Sequence, residues 1–304
     1  MGVSNYPRGF ANGVSIRGIP ILSSYPGDVY WVDSVNGSNG NKGTYDQPFS
    51  TLDYAVGRCT ASKGDIIVAK PGHVETVIAA AGLALDVAGI AIIGLGAGSL
   101  RPTVNFTTAV GADMDVDAAN ISVYNLLFTG GFDALTGPID VNAADFSMVN
   151  CETRDVTGQA TDFIVADAAA TRFLLENWTH RGAAAAGADT ALSFVGGDGL
   201  TVRNFWIDGN FAVAAIENVT TAATNVSINT GTARTRNAAD VIVTLVAATT
   251  GSVGPNINAR LQDNAANITE AFVGAGAHFF QPINIVNLDG EASMQTNITA
   301  STDA

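Results

Sequence analysis

Five side chains near the middle of the chain have the chemistry of a surface that holds a sugar. They are Glu152, Arg154, Arg181, Trp206 and Asp208. Arg154, Arg181 and Asp208 are spaced 27 residues apart. Glu152 lies two residues before Arg154, and Trp206 lies two residues before Asp208. A guanidinium group pairs with a carboxylate, and an indole ring packs against the face of a sugar. If the chain folds in layers of that length, these side chains meet on one surface and contact a glycan.

The same five residues also fit a simpler structural role. Arginine and carboxylate side chains on neighbouring layers form exposed ion pairs, each of which contributes little to stability. The sequence favours such an ion-pair ladder, and the glycan contact is the alternative. Catalysis by this group is the weakest of the three interpretations.

Other reactive side chains form no recognisable catalytic motif. His73, His180 and His278 lie far apart in the sequence, and His180 falls at an inward position of the strand pattern described below. Cys59 and Cys151 form no CxxC pair. We therefore predict no catalytic residue and no cofactor.

The segment from Asp33 to Asp46 carries carboxylate and amide oxygens, which are calcium ligands. Asn36, Asn39 and Asn41 lie within it, but their spacing is not that of an EF-hand. We favour a glycine-supported turn and predict no metal ligand.

One short pattern recurs four times and supplies the layers. Asn125, Asn150, Asn177 and Asn204 are separated by 25, 27 and 27 residues. In each copy the second and fourth residues before the asparagine are apolar, whereas the residue directly before it varies. Alternation with a period of two indicates a β-strand with one buried face. A second short strand recurs earlier in each repeat, so we predict a parallel β-solenoid with at least two strands per coil.

The recurring asparagine predicts a structural ladder. Where stacked strands bend, a buried amide can donate to one coil and accept from the next. Asparagine also tolerates the left-handed backbone conformation of such bends. We therefore assign Asn125, Asn150, Asn177 and Asn204 to a buried ladder and not to a binding site.

Composition and charge exclude several classes of protein. Charged residues make up only 14% of the chain and glycine contributes 33 of 304 residues, which is unlike a disordered protein or a coiled coil. Residues 71–304 contain eight arginines, no lysine and 23 acidic residues, so we predict no nucleic-acid partner. No apolar run is long enough for a membrane span, so we predict no membrane partner. The first residues also lack the apolar core of a signal peptide.

The repeat and the segment that precedes it resemble the right-handed parallel β-helix of pectate-lyase-like proteins. Many of these begin with a G-T-x-x-x-P-F-x-T-[LI] motif that leads into a short helix. The matching residues here are Gly43, Thr44, Pro48, Phe49, Thr51 and Leu52. The resemblance implies an all-β fold, a right-handed parallel β-helix in which a short helix caps the open end. We place the helix start at Ser50, with Asp53 three residues on.

Enzymes of this fold cleave acidic polysaccharides with calcium-binding aspartates or with a cluster of three aspartates. The sequence contains no adjacent pair of aspartates and none of the hydrolase motifs N-T-D, D-D and G-H-G. No catalytic residue is therefore carried over from the family, and we predict a protein that is not an enzyme.

The pattern divides the chain into three parts. Residues 1–27 form an N-terminal arm that contains Arg8 and Arg17 and no acidic residue before Asp28. Residues 28–245 form the β-helix. The asparagine pattern fades after residue 245, so we predict a β-rich C-terminal extension over residues 246–304 that caps the last coil, contacts a partner, or does both.

The arm sequence YPRGFANGVSIRGIPI, followed by the β-helix, is similar to bacteriophage virion proteins. This resemblance implies a structural protein on the outer surface of the particle, most simply one that decorates the capsid. The alternative is a tail-spike-type protein that binds or cleaves host surface polysaccharide. We expect the arm to attach to the major capsid protein or to another virion protein.

We also predict a homotrimer. Leu127 and Trp206 each lie two residues after a recurring asparagine, so the pattern places them on one outward face. Exposed apolar surface of this kind marks an interface. Three is also the number of chains usual for the phage β-helix proteins that the sequence resembles.

Overall fold

The computed structural model describes residues 27–155, 160–183, 187–236 and 241–260 in full, and of residue 261 only the backbone. It also describes the backbone of residues 15–16, 19–20, 272–274, 278–280 and 283–287. The predicted arm and the end of the predicted extension therefore lie largely outside the described residues.

The described chain is almost entirely β-structure. Its strands up to the middle of the chain are β1 (Ser15–Ile16), β2 (Ile19–Pro20), β3 (Val29–Val32), β4 (Ile66–Ala69), β5 (Val74–Val77), β6 (Leu83–Ala84), β7 (Ala91–Gly94), β8 (Thr103–Phe106), β9 (Met114–Val116), β10 (Ser122–Tyr124), β11 (Leu127–Gly130), β12 (Ile139–Val141), β13 (Ser147–Val149) and β14 (Glu152–Asp155). The later strands are β15 (Asp162–Ala166), β16 (Leu174–Glu176), β17 (Thr179–Arg181), β18 (Thr190–Phe194), β19 (Thr201–Gly209), β20 (Ala214–Asn218), β21 (Val226–Thr235), β22 (Val243–Leu245), β23 (Gly251–Val253), β24 (Ile257–Leu261), β25 (Phe272–Gly274), β26 (His278–Phe280) and β27 (Ile283–Asn287). The helices are α1 (Leu52–Val56) and a 3₁₀ turn at Gly98–Leu100. Within the described residues, neither helix is long enough to cross a membrane.

The strands stack as a parallel β-solenoid of about seven turns, which confirms the predicted fold class. A middle coil shows the repeating unit: β10, β11 and β12 pair in parallel with β13, β14 and β15 of the next coil. The first two strands of each coil belong to one sheet of 17 strands, and the third strand belongs to a second sheet of 8 strands. The middle coils thus contain three strands where the sequence predicted at least two, and β19 and β21 each join the first two strands of their coil into one.

The core follows the alternation that the sequence predicted. The apolar residues two and four positions before each recurring asparagine all point inward and are buried: Ile121, Val123, Phe146, Met148, Phe173, Leu175, Leu200 and Val202. Phe146 and Phe173 stack on each other with ring centroids 5.6 Å apart. Burial of these columns stabilises the fold because each coil covers the apolar surface of its neighbour.

The asparagine column lies at the bend between the first and second strands, as predicted, but it is not buried. Asn125, Asn150, Asn177 and Asn204 have φ between 51° and 57°, the left-handed conformation that asparagine tolerates. Asn150, Asn177 and Asn204 are solvent-exposed. An amide link between coils is present from Asn150 Nδ2 to Asn125 Oδ1 at 3.3 Å. The predicted burial is therefore wrong, and backbone conformation is the property that the four residues share.

The short helix caps the first coil as predicted, although it begins one residue later. Thr51 is the N-cap, and its side chain accepts a hydrogen bond from the Tyr54 N–H. Leu52 is buried under the coil, and its N–H donates to Glu75 Oε2 at 2.7 Å. The helix is thus bound to the first coil by both apolar packing and a buried carboxylate.

The parallel stacking continues beyond residue 245, where the sequence pattern fades. β23 and β24 both pair in parallel with β21, and β26 and β27 pair in turn with β23 and β24. Asn256, 26 residues after Thr230, has φ of 62° and occupies the bend that the asparagines occupy earlier. The stack of coils is therefore longer than the repeat pattern indicated.

Candidate functional site

The five predicted side chains lie on the outward face of the second strand of consecutive coils. The strand register aligns Arg154 with Arg181 and Arg181 with Asp208. The same register aligns Glu152 with Thr179 and Thr179 with Trp206. Strands in a sheet are about 4.8 Å apart, so the aligned side chains are immediate neighbours. The predicted columns are therefore present in the structure.

Glu152 is the centre of this group. Its Oε1 accepts hydrogen bonds from Arg154 Nε at 2.7 Å and from Arg181 Nε at 2.9 Å. Its Oε2 accepts from Arg101 Nη1 at 3.1 Å. Three guanidinium groups from three coils therefore surround one carboxylate. We call Arg101, Glu152, Arg154, Arg181 and Trp206 the arginine face.

The carboxylate of Glu152 stays ionised. Burial alone would raise its pKa, but the hydrogen bonds and charges of Arg154 and Arg181 outweigh that effect and hold the pKa below its usual value. A carboxylate with a lowered pKa is a poor general acid. Glu152 therefore acts as an anion that orients the arginines.

Arg101 braces the face from the neighbouring turn. Its Nε donates to Asn125 Oδ1 at 3.1 Å while its Nη1 reaches Glu152, so it connects the bend column to the face. Arg101 follows the turn Gly98–Leu100 and lies outside the repeat register, so the sequence pattern did not single it out.

Arg181 and Trp206 are in direct contact. The Arg181 guanidinium lies over the Trp206 ring, 5.0 Å from its centroid, in cation–π geometry. Trp206 is 37% exposed. The indole therefore supports the guanidinium on one side and leaves part of its surface available to solvent.

Asp208 belongs to a separate pair. It accepts two hydrogen bonds from Arg236, Nε to Oδ1 at 2.9 Å and Nη2 to Oδ2 at 2.6 Å. Arg234 Nε lies 4.0 Å from the same carboxylate. The structure thus brings Glu152, Arg154, Arg181 and Trp206 together and places Asp208 with Arg236. The sequence analysis missed Arg236, although it follows Arg234 by the two-residue step that marks one face of a strand.

The outward face concentrates the basic residues of an acidic chain. Six of the eight arginines after residue 70 lie along it: Arg101, Arg154, Arg181, Arg234, Arg236 and Arg260. Because the whole chain has a formal charge of −14, this surface contrasts in sign with the rest of the molecule. A surface of one charge on a body of the other attracts anions locally.

The last residue of β14 behaves differently from Glu152. Asp155 is 5% exposed, and burial raises its pKa to about 6. Its Oδ2 accepts one hydrogen bond from the Ala160 N–H at 3.4 Å. Asp155 therefore points into the coil, unlike the outward Arg154 before it, and titrates near neutral pH.

The described histidines are core residues, as predicted for His180. His180 is fully buried, and desolvation lowers its pKa to about 3, so it is neutral. Its Nδ1 lies 2.9 Å from Thr153 Oγ1, which also accepts from Trp178 Nε1. His73 is buried next to Glu75 under the capping helix. His278 is described only in its backbone.

The oxygens of the 33–46 segment accept hydrogen bonds within that segment and its flanks. Asp33 accepts from the N–H groups of Val35 and Asn36, and Asn39 Oδ1 accepts from Ser50. The segment thus forms the hydrogen-bonded turn that the sequence favoured, and the lack of a metal ligand in it stays a prediction.

The apolar residue predicted to share the outward face with Trp206 is not exposed. Leu127 occupies the outward column but only 8% of it is accessible. The apolar surface that suggested a homotrimer is therefore absent at this position, and the trimer stays a prediction.

One buried asparagine outside the column performs the role predicted for the ladder. Asn218 is 2% exposed, and its Nδ2 donates to the carbonyls of Phe194 and Thr221 at 3.1 and 3.0 Å. Its Oδ1 accepts from the Val246 N–H at 3.3 Å and from Thr249 Oγ1 at 2.6 Å. It lies at the end of the third strand, so the bend pattern could not reveal it.

Comparison with protein-family models and with curated protein sequences finds no match. Comparison with solved structures finds a GH136 lacto-N-biosidase from Eubacterium ramulus, as a selenomethionine derivative and as the native protein, and a rhamnogalacturonan lyase. The two lacto-N-biosidase structures are 14% and 13% identical to this chain, each with a TM-score of 0.46, and the match covers 86% of this chain and 67% of theirs. The rhamnogalacturonan lyase is 12% identical with a TM-score of 0.40, and the match covers 89% of this chain and 90% of that one.

The prediction that the chain is not an enzyme is contradicted by these comparisons, because all three solved structures are of enzymes. Their descriptions show no link between this chain and a phage. At these identities and TM-scores, they assign no reaction, substrate or residue to this chain.

Proposed function

We propose that the chain recognises an anionic surface polysaccharide through the arginine face, as a tail-spike-type protein does, and that it binds or cleaves this glycan. The observation that carries the proposal is the pair Arg154 and Arg181. Their side chains are 43% and 57% exposed, and they stand beside the partly exposed Trp206. Arginine supplies the charge for an anionic group, and the indole supplies a surface for the sugar ring.

The ion-pair ladder that the sequence favoured accounts for only part of this geometry. A ladder would alternate charges so that each arginine had a carboxylate of its own. Here three arginines share Glu152, and Arg181 leaves its register partner Asp208 to Arg236. The resulting excess of positive charge on an acidic protein is what a site for an anion requires.

The proposal is tested by binding to a panel of purified bacterial surface polysaccharides, neutral and acidic. We expect acidic members to bind and expect Arg181→Ala and Trp206→Ala to weaken that binding at least about tenfold, the equivalent of ~1.4 kcal/mol. Arg203→Ala is the matched control, because Arg203 is 45% exposed and pairs with Glu176 away from the face. Equal binding by all three variants would reject the site.

Cleavage is tested on the polysaccharides that bind. A fall in their chain length, measured by size-exclusion chromatography, would show depolymerase activity. Arg181→Ala and Trp206→Ala should slow this cleavage in step with their weaker binding. Cleavage at the full rate in both variants would place the reaction away from the arginine face.

The location of the protein is a further part of the proposal. The arm contains Arg8 and Arg17 and no acidic residue before Asp28, which supports attachment of residues 1–27 to an acidic partner on a virion. Deleting residues 1–26 should leave glycan binding intact and abolish incorporation into particles. A high copy number per particle would place the protein on the capsid, and a low one would place it on the tail.

A further inference from the structure

The way Glu152 holds its arginines indicates which anion the arginine face accepts. We propose that the anion is a tetrahedral oxyanion ester, a phosphate or sulfate group on the sugar, and not the carboxylate of a uronic acid. This inference rests on the proposed glycan-binding function and names the chemical class of its ligand.

The first step concerns which donors are already used. Arg154 and Arg181 both bind Glu152 through Nε, and their exposed side chains make no further hydrogen bond to the described residues. Their Nη groups are therefore available to a ligand. Arg101 differs, because its Nε and Nη1 are both engaged and only 21% of its side chain is exposed.

The second step concerns the number of acceptor oxygens. Arg154 and Arg181 are register partners on adjacent strands, about 4.8 Å apart at the backbone. A carboxylate can bridge several guanidinium groups, as Glu152 does, but it has only two acceptor oxygens. A phosphate monoester has three strongly accepting oxygens, so it can bind both guanidinium groups at once. Two available arginines on adjacent coils therefore find more acceptor positions on a tetrahedral ester, with three free oxygens, than on a planar carboxylate, with two.

The third step concerns charge. Arg101, Arg154 and Arg181 contribute three positive charges, and the ionised Glu152 removes one. The group therefore has an excess of two positive charges. A phosphate monoester carries about −1.5 to −2 at pH 7, which balances this excess, whereas a carboxylate and a sulfate ester each carry only about half as much. Charge therefore favours the phosphate ester, and the third oxygen favours both esters.

The fourth step concerns preorganisation. Glu152 fixes both Nε atoms and the Trp206 ring supports the Arg181 guanidinium, so the donors are held before the ligand arrives. Donors that are already fixed lose less side-chain entropy on binding. Glu152 is thus a positioning residue that never needs to touch the sugar.

The experiment uses four probes that share one ring and differ only at C6: glucose, glucuronate, glucose 6-sulfate and glucose 6-phosphate. Binding to the full-length protein is followed by isothermal titration calorimetry at fixed ionic strength. We expect the two esters to bind about tenfold more tightly than glucuronate, and glucose to bind most weakly. A pH series separates the two esters, because the second phosphate pKa is near 6 and a sulfate ester does not titrate in this range.

Arg154→Lys and Arg181→Lys test the geometry, since lysine keeps the charge and loses the planar fork. We expect each variant to lose most of the preference for the esters over glucuronate. Arg203→Lys is the control and should keep that preference. Unchanged thermal unfolding midpoints confirm that the variants are folded.

The outcomes separate this inference from the proposed function. Glucuronate binding as tightly as the esters would overturn the inference and leave the glycan-binding function intact. Retention of the ester preference in both lysine variants would also overturn it. If no probe binds and the acidic polysaccharides also fail to bind, the inference and the proposed function are both wrong.

Discussion

Replacing Asn218 with leucine should destabilise the solenoid strongly, whereas the same replacement at Asn177 should have a small effect. The two residues are both asparagines at bends, and the structure gives them different roles. Asn218 is 2% exposed and makes four hydrogen bonds, whereas Asn177 is exposed and has φ of 51°.

The magnitude follows from the groups that lose their partner. In Asn218→Leu the Phe194 carbonyl keeps the hydrogen bond from the Val219 N–H, and Thr221 is exposed enough for water to replace the amide. The Thr249 hydroxyl and the Val246 N–H lose an acceptor in the interior. At about 1–3 kcal/mol for each buried group, the loss is about 2–4 kcal/mol after partial relaxation.

Asn177→Leu has a different cost. Among the described residues, no buried group depends on the Asn177 side chain. The penalty is that of placing leucine in the left-handed region, about 1 kcal/mol. Guanidinium-induced unfolding, followed by tryptophan fluorescence, should therefore shift its midpoint more for Asn218→Leu than for Asn177→Leu. An equal or larger effect at Asn177 would refute this reasoning and restore the column to the role of a stabilising ladder.

Three further predictions concern other sites. Glu152→Gln removes a charge shared by three partly exposed arginines and should lower the unfolding free energy by about 1–2 kcal/mol. High salt should reduce this effect, and a loss that does not depend on salt would argue against an ionic role. Asp155 has a pKa of about 6 when folded and near 3.8 when unfolded, so its contribution to stability is full below pH 4 and is lost as the pH rises through 6. Thermal unfolding of Asp155→Asn should therefore match the wild type at pH 4 and exceed it at pH 7, and parallel pH profiles would contradict the raised pKa. Gly37→Ala would place a Cβ against the Phe49 and Asp33 carbonyl oxygens and should cost more than ~2 kcal/mol, whereas Gly111→Ala meets nothing within 4 Å and should be near neutral in the same melting experiment.

The sequence predicted the fold because its strongest pattern is local and repeats. Apolar residues at Val123, Met148, Leu175 and Val202 alternate with polar ones, and only a parallel stack buries such columns on one side. The same register predicted that Arg154 and Arg181 are neighbours and that His180 points into the core. A period of two determines which way a side chain points, and the repeat length determines what lies above and below it.

The sequence could not determine burial at the bends or the length of the stack. Asn177 is exposed and Asn218 is buried because they lie at different bends. Asn177 lies between two strands of the 17-stranded sheet, whereas Asn218 ends a strand of the 8-stranded sheet. The last coils were missed because Thr230 stands where the pattern has asparagine. Its place, 26 residues after Asn204 and 26 before Asn256, links the last coils to the repeat. Depth within a coil depends on the lengths of all its turns, and these vary from coil to coil.

The composition of the arginine face was decided by tertiary structure. Register alone placed Asp208 beside Arg181, but Arg236 binds Asp208 through two hydrogen bonds, and Arg181 turns to Glu152 and Trp206. Arg101 enters from a turn outside the repeat and supplies the third arginine. A sequence period determines which backbones are adjacent. Which long side chains then pair depends on competing partners across several coils, and only the folded chain brings those partners within reach of one another.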